Sequence, residues 1–247
     1  MSPHQSNSGT MGRSGRTGTS VGQYAGPQDT VERALAAARS EGCIVIADES
    51  SAANLRWAGN TLTTNGVSRS RQLTVIAISR NAAGTSVGVV SRAGVRDDQV
   101  EDVVREAERA AADGSPVEDA QPLLGPDDDA VRKIPGAAAW DDPVASTEIG
   151  VFSGFAADLG GAFEAAQASE RKLYGYAEHS LDCTFLGTST GLRLRHDQPA
   201  GKVELNAKSA DLARSAWAGC GTRDFTDVDV AALGSYQLYL KKTWMSQ

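Results

Sequence analysis

The sequence predicts an α+β protein in which helices pack on antiparallel β-strands, arranged in two consecutive units. Two helical patterns, PQDTVERALAAARSEG and DDQVEDVVREAERAAADG, enclose a block of short segments with strand-like alternation. A second block starts with the helical stretch SGFAADLGGAFEAAQASERKLYGY and continues as further alternating segments. The sequence shows no internal repeat of fixed period.

Composition narrows the class of protein. The chain has 247 residues, of which 40% are hydrophobic and 22% charged, which is enough to bury a core without disulfides or metal. The formal charge of −7 argues against nucleic acid or an anionic membrane as the main partner. Neither a secretory signal nor an apolar run of membrane-spanning length occurs, so we expect a cytoplasmic protein.

The first unit is predicted to span residues 28–113. Its opening helix should start at Pro27, be capped by Asp29 or Thr30 and end at Gly42. CIVIADES, QLTVIAIS and GTSVGVVS are predicted strands, the last two joined by the turn RNAAG. The closing helix should be capped by Asp97 or Asp98 and end at Gly114. The residues expected to face the core from these two helices are Val31, Leu35, Ala38, Val100, Val103, Val104 and Ala107.

The second unit is predicted to span residues 151–233. It should begin with one long helix, whose apolar stripe comprises Phe155, Leu159, Phe163, Ala166 and Leu173. Three strands should follow, with turns at Gly187–Gly191 and Pro199–Gly201.

Three segments lie outside the two units. Residues 1–27 are rich in Ser, Gly and Thr, and we expect them to be disordered. Residues 114–150 are rich in Pro and Asp and should form an extended linker, with Leu123, Leu124 and Trp140 held against a neighbouring surface. Residues 234–247 are expected to be a mobile tail.

Residues able to carry chemistry are few and scattered. His179 and Cys183 should share one face of a strand, the histidine at the surface and the thiol buried. Cys43 should pack as a small hydrophobe, whereas Cys220 should be exposed with no histidine nearby to activate it. No zinc-binding spacing occurs. GTSVG (84–88) and GTSTG (187–191) fit G-x-S-x-G, but we expect the glycines of each to end or bend a strand, so we predict no catalytic residue, metal ligand or cofactor in this chain.

The segment ESSAANLRWAGNTLTTNGVSRSR, Glu49–Arg71, is predicted to be a hairpin with polar residues on both faces. In GLRLRHDQ, arginines alternate with Leu192, Leu194 and His196, so one face should expose the arginines. Such a strand suits either a partner-binding edge or a solvated face that discourages aggregation, and both interpretations stay open. The candidate contacts with a partner or a peptide are Arg56, Trp57, Arg69, Arg71, Arg193 and Arg195.

Two stretches resemble one family. SSAANLRWAGNTLTTNGVSRSRQLTVIAI with GTSVGVVSRAGV is similar to the N-terminal domain of the TldD/PmbA proteins, also called peptidase U62 or modulators of DNA gyrase. FLGTSTGLRLRHDQPAGKVELNAKS is similar to the central domain of the same family, so that the resemblance spans about 28–233. It implies a two-layer α+β N-terminal domain, a central domain and a large β-rich C-terminal domain.

The resemblance also implies a function. In that family a zinc-binding catalytic subunit (TldD) with an H-E-x-x-x-H motif pairs with a subunit that lacks the metal ligands (TldE or PmbA), and together they cut unfolded peptides. This sequence contains neither that motif nor a counterpart of the C-terminal domain. The resemblance therefore implies that this chain is a truncated, non-catalytic portion of the TldE/PmbA type. Its implied partner is a catalytic subunit or a second copy of itself.

The hairpin would then pack against another domain or subunit, and any zinc would be bound by the catalytic partner. The alternative of a different class is a stand-alone interaction module that has no link to proteolysis.

Overall fold

The computed structural model describes residues 25–134 and 140–233. The predicted terminal tails therefore lie outside the described residues, apart from residues 25–27.

The described residues form one six-stranded antiparallel sheet with helices, which confirms the predicted α+β class. The strands are β1 (Gly42–Ala58), β2 (Leu62–Asn81), β3 (Gly84–Ala93), β4 (Arg171–Thr188), β5 (Arg193–Ser209) and β6 (Ser215–Thr222). The helices are α1 (Pro27–Ala37), α2 (Val100–Asp113), α3 (Asp129–Arg132) and α4 (Ser153–Ala168), with 3-10 turns at Asp97–Gln99 and Ile149–Phe152.

The strand order is β3-β2-β1-β4-β5-β6, so strands from both predicted units join in a single sheet. The two halves meet where β1 pairs antiparallel with β4, from Ile44 opposite Thr188 to Ala58 opposite Tyr174. Each half consists of a helix followed by three consecutively paired strands, α1-β1-β2-β3 and α4-β4-β5-β6. This repeat of topology carries no repeat of sequence, which is why the sequence alone does not reveal it.

Helices α1, α2 and α4 cover one face of the sheet. In β1 the buried side chains are those of alternate residues, such as Cys43, Val45 and Ala47, as expected when one face of a strand meets the core. One apolar cluster lies under α1 and α2, and a second lies under α4. The opposite, open face is partly exposed, and Val89 on that face is 58% exposed.

Helix α2 packs unusually close to β3. A Cβ atom on Gly88 would lie 2.2 Å from the carbonyl oxygen of Ala107 and 2.2 Å from the backbone nitrogen of Ala111. The neighbouring Ser86 hydroxyl donates a hydrogen bond of 2.6 Å to the carbonyl of Ala111. Glycine at position 88 therefore lets the helix backbone rest directly on the strand.

The hairpin prediction is confirmed, but its division into separate strands is wrong. CIVIADES and the first arm of the hairpin are one strand, β1, and the second arm continues through QLTVIAIS as β2. The turn lies at Gly59 and Asn60, both in the left-handed region with φ of 61° and 65°. Backbone pairing continues past the point where the apolar alternation stops, which explains why the sequence suggested a boundary there.

The predicted helix caps are also corrected. Helix α1 ends at Ala37 rather than Gly42, and its N-cap is Gly26, whose carbonyl accepts a hydrogen bond of 3.0 Å from the Thr30 hydroxyl. The carboxylate of Asp97 caps no helix and instead accepts hydrogen bonds from the backbone N–H of Ala25. The prediction that α2 is followed by Gly114 is confirmed, as is the burial of Val31, Val100, Val103, Val104 and Ala107.

Three features of the second unit differ from the prediction. Helix α4 ends at Ala168, and Glu170 takes a positive φ of 52°, so Leu173 belongs to β4 although it is buried. No turn interrupts β5 at Pro199–Gly201. Proline is tolerated there because β6 pairs with β5 only from Gly201 onward, leaving Pro199 on an open edge. The sequence also missed β6.

The segment between the units passes from one face of the sheet to the other. Leu123 lies against Gly42 on the open face, whereas Trp140 packs on the helix-covered face, where its ring centroid is 5.5 Å from that of Phe185. Both contacts agree with the prediction, but Leu124 is exposed. We call residues 140–148 the crossing segment, because they run over β1, β4 and β5.

Candidate functional site

The far end of the β1–β2 hairpin is an open edge of the sheet. Strand β3 pairs with β2 only between Gln72 and Asn81. Residues Leu62–Arg71, which we call the open edge, pair with β1 on one side and with no described strand on the other. Eight of these ten residues are exposed, and the other two, Gly66 and Arg71, are partly buried.

The register shows which backbone groups of the open edge point outward. The carbonyl of Arg71 accepts a hydrogen bond of 3.0 Å from the N–H of Gly94, on the β3 side. Because backbone groups alternate in an antiparallel pair, Asn65, Val67 and Arg69 point their N–H and C=O groups to this same side. No residue in the described ranges bonds to these backbone groups.

The side chains of the open edge combine small polar, apolar and basic groups. Leu62 and Val67 are 47% and 41% exposed. Arg69 forms an ion pair with Glu148, and the Nε of Arg71 lies 2.9 Å from a carboxylate oxygen of Glu49. Both arginines lie on one face of β2, next to each other.

The two candidates on β1 behave differently. Arg56 is exposed on the open face, with its guanidinium 5.8 Å from the ring centroid of Tyr176. Trp57 is 2% exposed and packs against Phe155 on the other face. Its indole N–H has no hydrogen-bond partner in the part of the chain that the structure describes. Trp57 is therefore a core residue, whereas Arg56 is available at the surface.

The prediction that β5 exposes its arginines is wrong for Arg195. Its side chain is 3% exposed and faces the covered side of the sheet, whereas His196 is exposed on the open face. The guanidinium bonds both carboxylate oxygens of Asp197, at 2.9 and 2.8 Å. It also donates to the carbonyls of Asp142 and Pro143, at 2.7 and 3.0 Å. Arg195 therefore fastens the crossing segment to the sheet, which explains why an arginine is buried here.

Arg193 occupies a similar but more accessible position. Its guanidinium bonds the carboxylate of Glu32 on α1 at 2.5 and 2.8 Å and donates to the carbonyls of Thr188 and Leu192. The hydrogen bonding of Arg193 to the Glu32 carboxylate lowers the pKa of Glu32. Arg193 thus joins α1 to the turn between β4 and β5.

The Arg195–Asp197 pair predicts a pH dependence of stability. The hydrogen bond from Arg195 lowers the pKa of Asp197 below its ordinary value of 3.8. A lowered carboxyl pKa contributes stability above the unfolded pKa, and this contribution is lost as the pH falls through the folded pKa. We therefore expect Asp197→Asn to cost about 1 kcal/mol at neutral pH and progressively less below about pH 4. Urea unfolding of both proteins from pH 3 to 7 measures the difference, and a difference that grows on acidification would contradict the expectation.

His179 lies inside the molecule rather than at the surface as predicted. Its Nε2 donates to the carbonyl of Arg223 at 2.8 Å, which leaves Nδ1 to accept from the Thr147 hydroxyl at 2.7 Å. It therefore links the crossing segment to the residues that follow β6. The prediction failed because the crossing segment, which covers His179, has no apolar pattern that marks it as part of the core.

The cysteines lie as predicted: Cys43 and Cys183 are buried and Cys220 is exposed. Burial raises the pKa of both the Cys43 and Cys183 thiols to about 11, so that neither is a thiolate at neutral pH. Burial also raises the pKa of Cys220.

Within residues 25–134 and 140–233, no three His, Cys, Asp or Glu side chains are grouped so that they could hold a metal ion. None of the helices in these ranges has the length and apolarity needed to cross a membrane.

The chain shares its fold with TldE and with proteins described as putative modulators of DNA gyrase. In this chain the fold is a six-stranded sheet that carries helices on one face and consists of two halves, each with one helix and three strands. Against TldE from Thermococcus kodakarensis the TM-score is 0.59 at 12% identity, covering 86% of this chain and 46% of that one. For a putative modulator of a DNA gyrase from Thermotoga maritima the TM-score is 0.60 at 13% identity, covering 86% and 47%. A third, from Bacteroides thetaiotaomicron, gives 0.58 at 13% identity, covering 87% and 48%.

These comparisons confirm, at the level of the fold, the resemblance to the TldD/PmbA family that the sequence indicates. The chain spans about half the length of these solved structures. No protein-family model and no curated protein sequence matches it.

Proposed function

We propose that this chain is a non-catalytic portion of a TldD/PmbA-type peptidase assembly, which binds a catalytic subunit and helps it to cleave unfolded peptides in the cytoplasm. The observation that carries the proposal is the fold shared with TldE over 86% of the chain. The partner would be a protein with an H-E-x-x-x-H motif, and that protein would bind the zinc.

The open edge supports a binding role. An unpaired strand edge in a soluble protein is a ready template for another chain, and natural proteins usually cover or blunt it. Here the nine consecutive residues Leu62–Ser70 of β2 lack a described neighbour on one side, and the arginines at positions 69 and 71 lie beside this edge. A surface of this kind suits a protein that functions by contact with another protein chain.

Co-purification tests this proposal. The chain should be co-expressed with the H-E-x-x-x-H family protein of the same genome, and the complex sized by light scattering. We expect a stable complex that cleaves an unfolded peptide only when zinc is present, and no cleavage by this chain alone.

Two results would overturn the proposal. One is metal-dependent cleavage by the isolated chain, which would make it catalytic. The other is a failure of the two proteins to associate at micromolar concentration, which would favour a stand-alone interaction module.

A further inference from the structure

We propose that the open edge of β2 binds an extended segment of another protein, with acidic side chains at alternate positions, by adding it to the sheet as a seventh strand. The inference deepens the proposed function, because it specifies how a partner is held. The test of this inference uses a peptide and needs no catalytic subunit. Strand addition and the proposed function can therefore fail independently of each other.

The backbone of the open edge suits strand addition. Ten residues in β conformation extend about 30 Å, which is longer than a typical strand. The outward N–H and C=O groups of Asn65, Val67 and Arg69 present three donors and three acceptors at regular spacing. Proline and bulges are common devices that block an edge, and neither occurs between residues 65 and 70, where Arg69 is the one charged side chain.

The side chains leave room for a neighbouring strand. On the open face the edge carries Gly66, Ser68 and Ser70, which are small. A Cβ on Gly66 would have a single neighbour, the Asn54 amide nitrogen at 3.7 Å. Glycine inside a strand is a frequent mark of close approach by another backbone. On the other face Val67 is 41% exposed and offers an apolar contact.

Charge favours an acidic partner. Arg69 and Arg71 project from one face of the edge, two residues apart, and Arg71 already pairs with Glu49 while its side chain stays 40% exposed. Arg69 and its partner Glu148 have side chains that are 63% and 58% exposed, so their ion pair is weak and a partner carboxylate can replace it. In an added strand, residues opposite the two arginines also lie two apart, which specifies acids at alternate positions.

A second copy of this chain fits the edge less well. With Val67 opposite Val67 of the other copy in an antiparallel pair, Arg69 would face Asn65 and Arg71 would face Thr63. With Arg69 opposite Arg69, like charges would meet directly, which is unfavourable. The net charge of −7 on each copy adds to the repulsion.

Amide exchange measured by NMR gives a direct test. The probe is a synthetic peptide of about nine residues in which Glu alternates with Thr and Val. In the free protein the amides of Asn65, Val67 and Arg69 should exchange fast, whereas those of Gly66, Ser68 and Ser70 are bonded to β1 and should exchange slowly. Saturating peptide should slow the fast set by at least about tenfold.

A matched peptide with Lys in place of Glu should bind about three- to tenfold more weakly. Unchanged exchange at the three outward amides with about 1 mM Glu peptide would overturn the inference, as would equal binding of the Lys peptide. Protection that depends on protein concentration without peptide would show that a second copy occupies the edge, and would also overturn it.

Val67→Pro provides the matching variant. The Val67 N–H has no partner among the described residues, and the preceding residue is glycine, so proline should be accommodated with the sheet intact. We expect peptide binding to fall by at least about tenfold, while Val67→Thr, which keeps the N–H, binds normally. Normal peptide binding by folded Val67→Pro would contradict the inference. If the variant does not fold, the amide exchange of the unsubstituted protein with and without peptide remains the test of strand addition.

Discussion

Replacing Gly88 with alanine is expected to lower the free energy of unfolding by about 3 kcal/mol. The new methyl group would fall 2.2 Å from two backbone atoms of α2 and 2.8 Å from a third, the carbonyl carbon of Ala110. Backbone atoms inside a helix cannot move aside singly, so the whole of α2 has to shift away from β3. That shift opens the apolar cluster that contains Val103, Val104 and Ala107.

Gly66→Ala is the matched control for this substitution. Gly66 is also a strand glycine, but an added methyl group there meets only one side-chain nitrogen at 3.7 Å. Its effect should stay within about 1 kcal/mol. Urea unfolding followed by circular dichroism measures both variants. Equal effects of the two substitutions would show that α2 does not rest on β3 as closely as described.

Arg195→Ala should destabilise the protein by about 3 kcal/mol, because the Arg195 side chain is only 3% exposed and makes four hydrogen bonds that nothing replaces. The alanine would remove the two hydrogen bonds to Asp197 and those to the carbonyls of Asp142 and Pro143. It would also remove the guanidinium that lies 5.0 Å from the ring centroid of Phe185. The crossing segment should then detach more readily from the sheet.

Two further variants separate this effect from a general loss of positive charge. Arg69→Ala removes an exposed arginine and should change stability by no more than about 1 kcal/mol. Arg195→Lys keeps the charge but cannot bond both carboxylate oxygens and two carbonyls in one plane, so it should recover only part of the loss. Limited proteolysis of the native protein measures how readily the crossing segment detaches from the sheet. Cleavage within residues 140–148 should be faster in Arg195→Ala, and an unchanged rate would contradict the role assigned to Arg195.

The local patterns of the sequence predicted local structure well. Apolar spacing in DDQVEDVVREAERAAADG indicates which face of α2 is buried, and alternation in CIVIADES and QLTVIAIS indicates strands. The ends of elements were less predictable. Pro199 and Gly201 signal a turn, yet β5 passes through them because pairing with β4 continues on its other side. Tertiary pairing overrides the local signal there.

The surroundings of the arginines could not be predicted from the sequence. Alternation correctly places Arg193 and Arg195 on one side of β5, but which side is covered depends on the crossing segment, distant in sequence and rich in polar residues. The open edge is a similar case. Its polar residues suggest a surface, but only the register shows that β3 ends at Ala93 and that no described strand continues beside the edge.

The meeting of β1 and β4 at the centre of the sheet has a consequence for the order of folding. Ile44 and Thr188, which pair there, are roughly 140 residues apart in the chain, whereas the pairs within each three-strand half are close in sequence. Each half can form early from local hairpins, but joining them requires closure of a long loop, which makes this the slow step. Until the halves join, β1 and β4 each have one long unpaired edge, and during synthesis the edge of β1 must wait for β4. The centre of the finished sheet is therefore where the folding chain is most exposed to wrong pairing and aggregation.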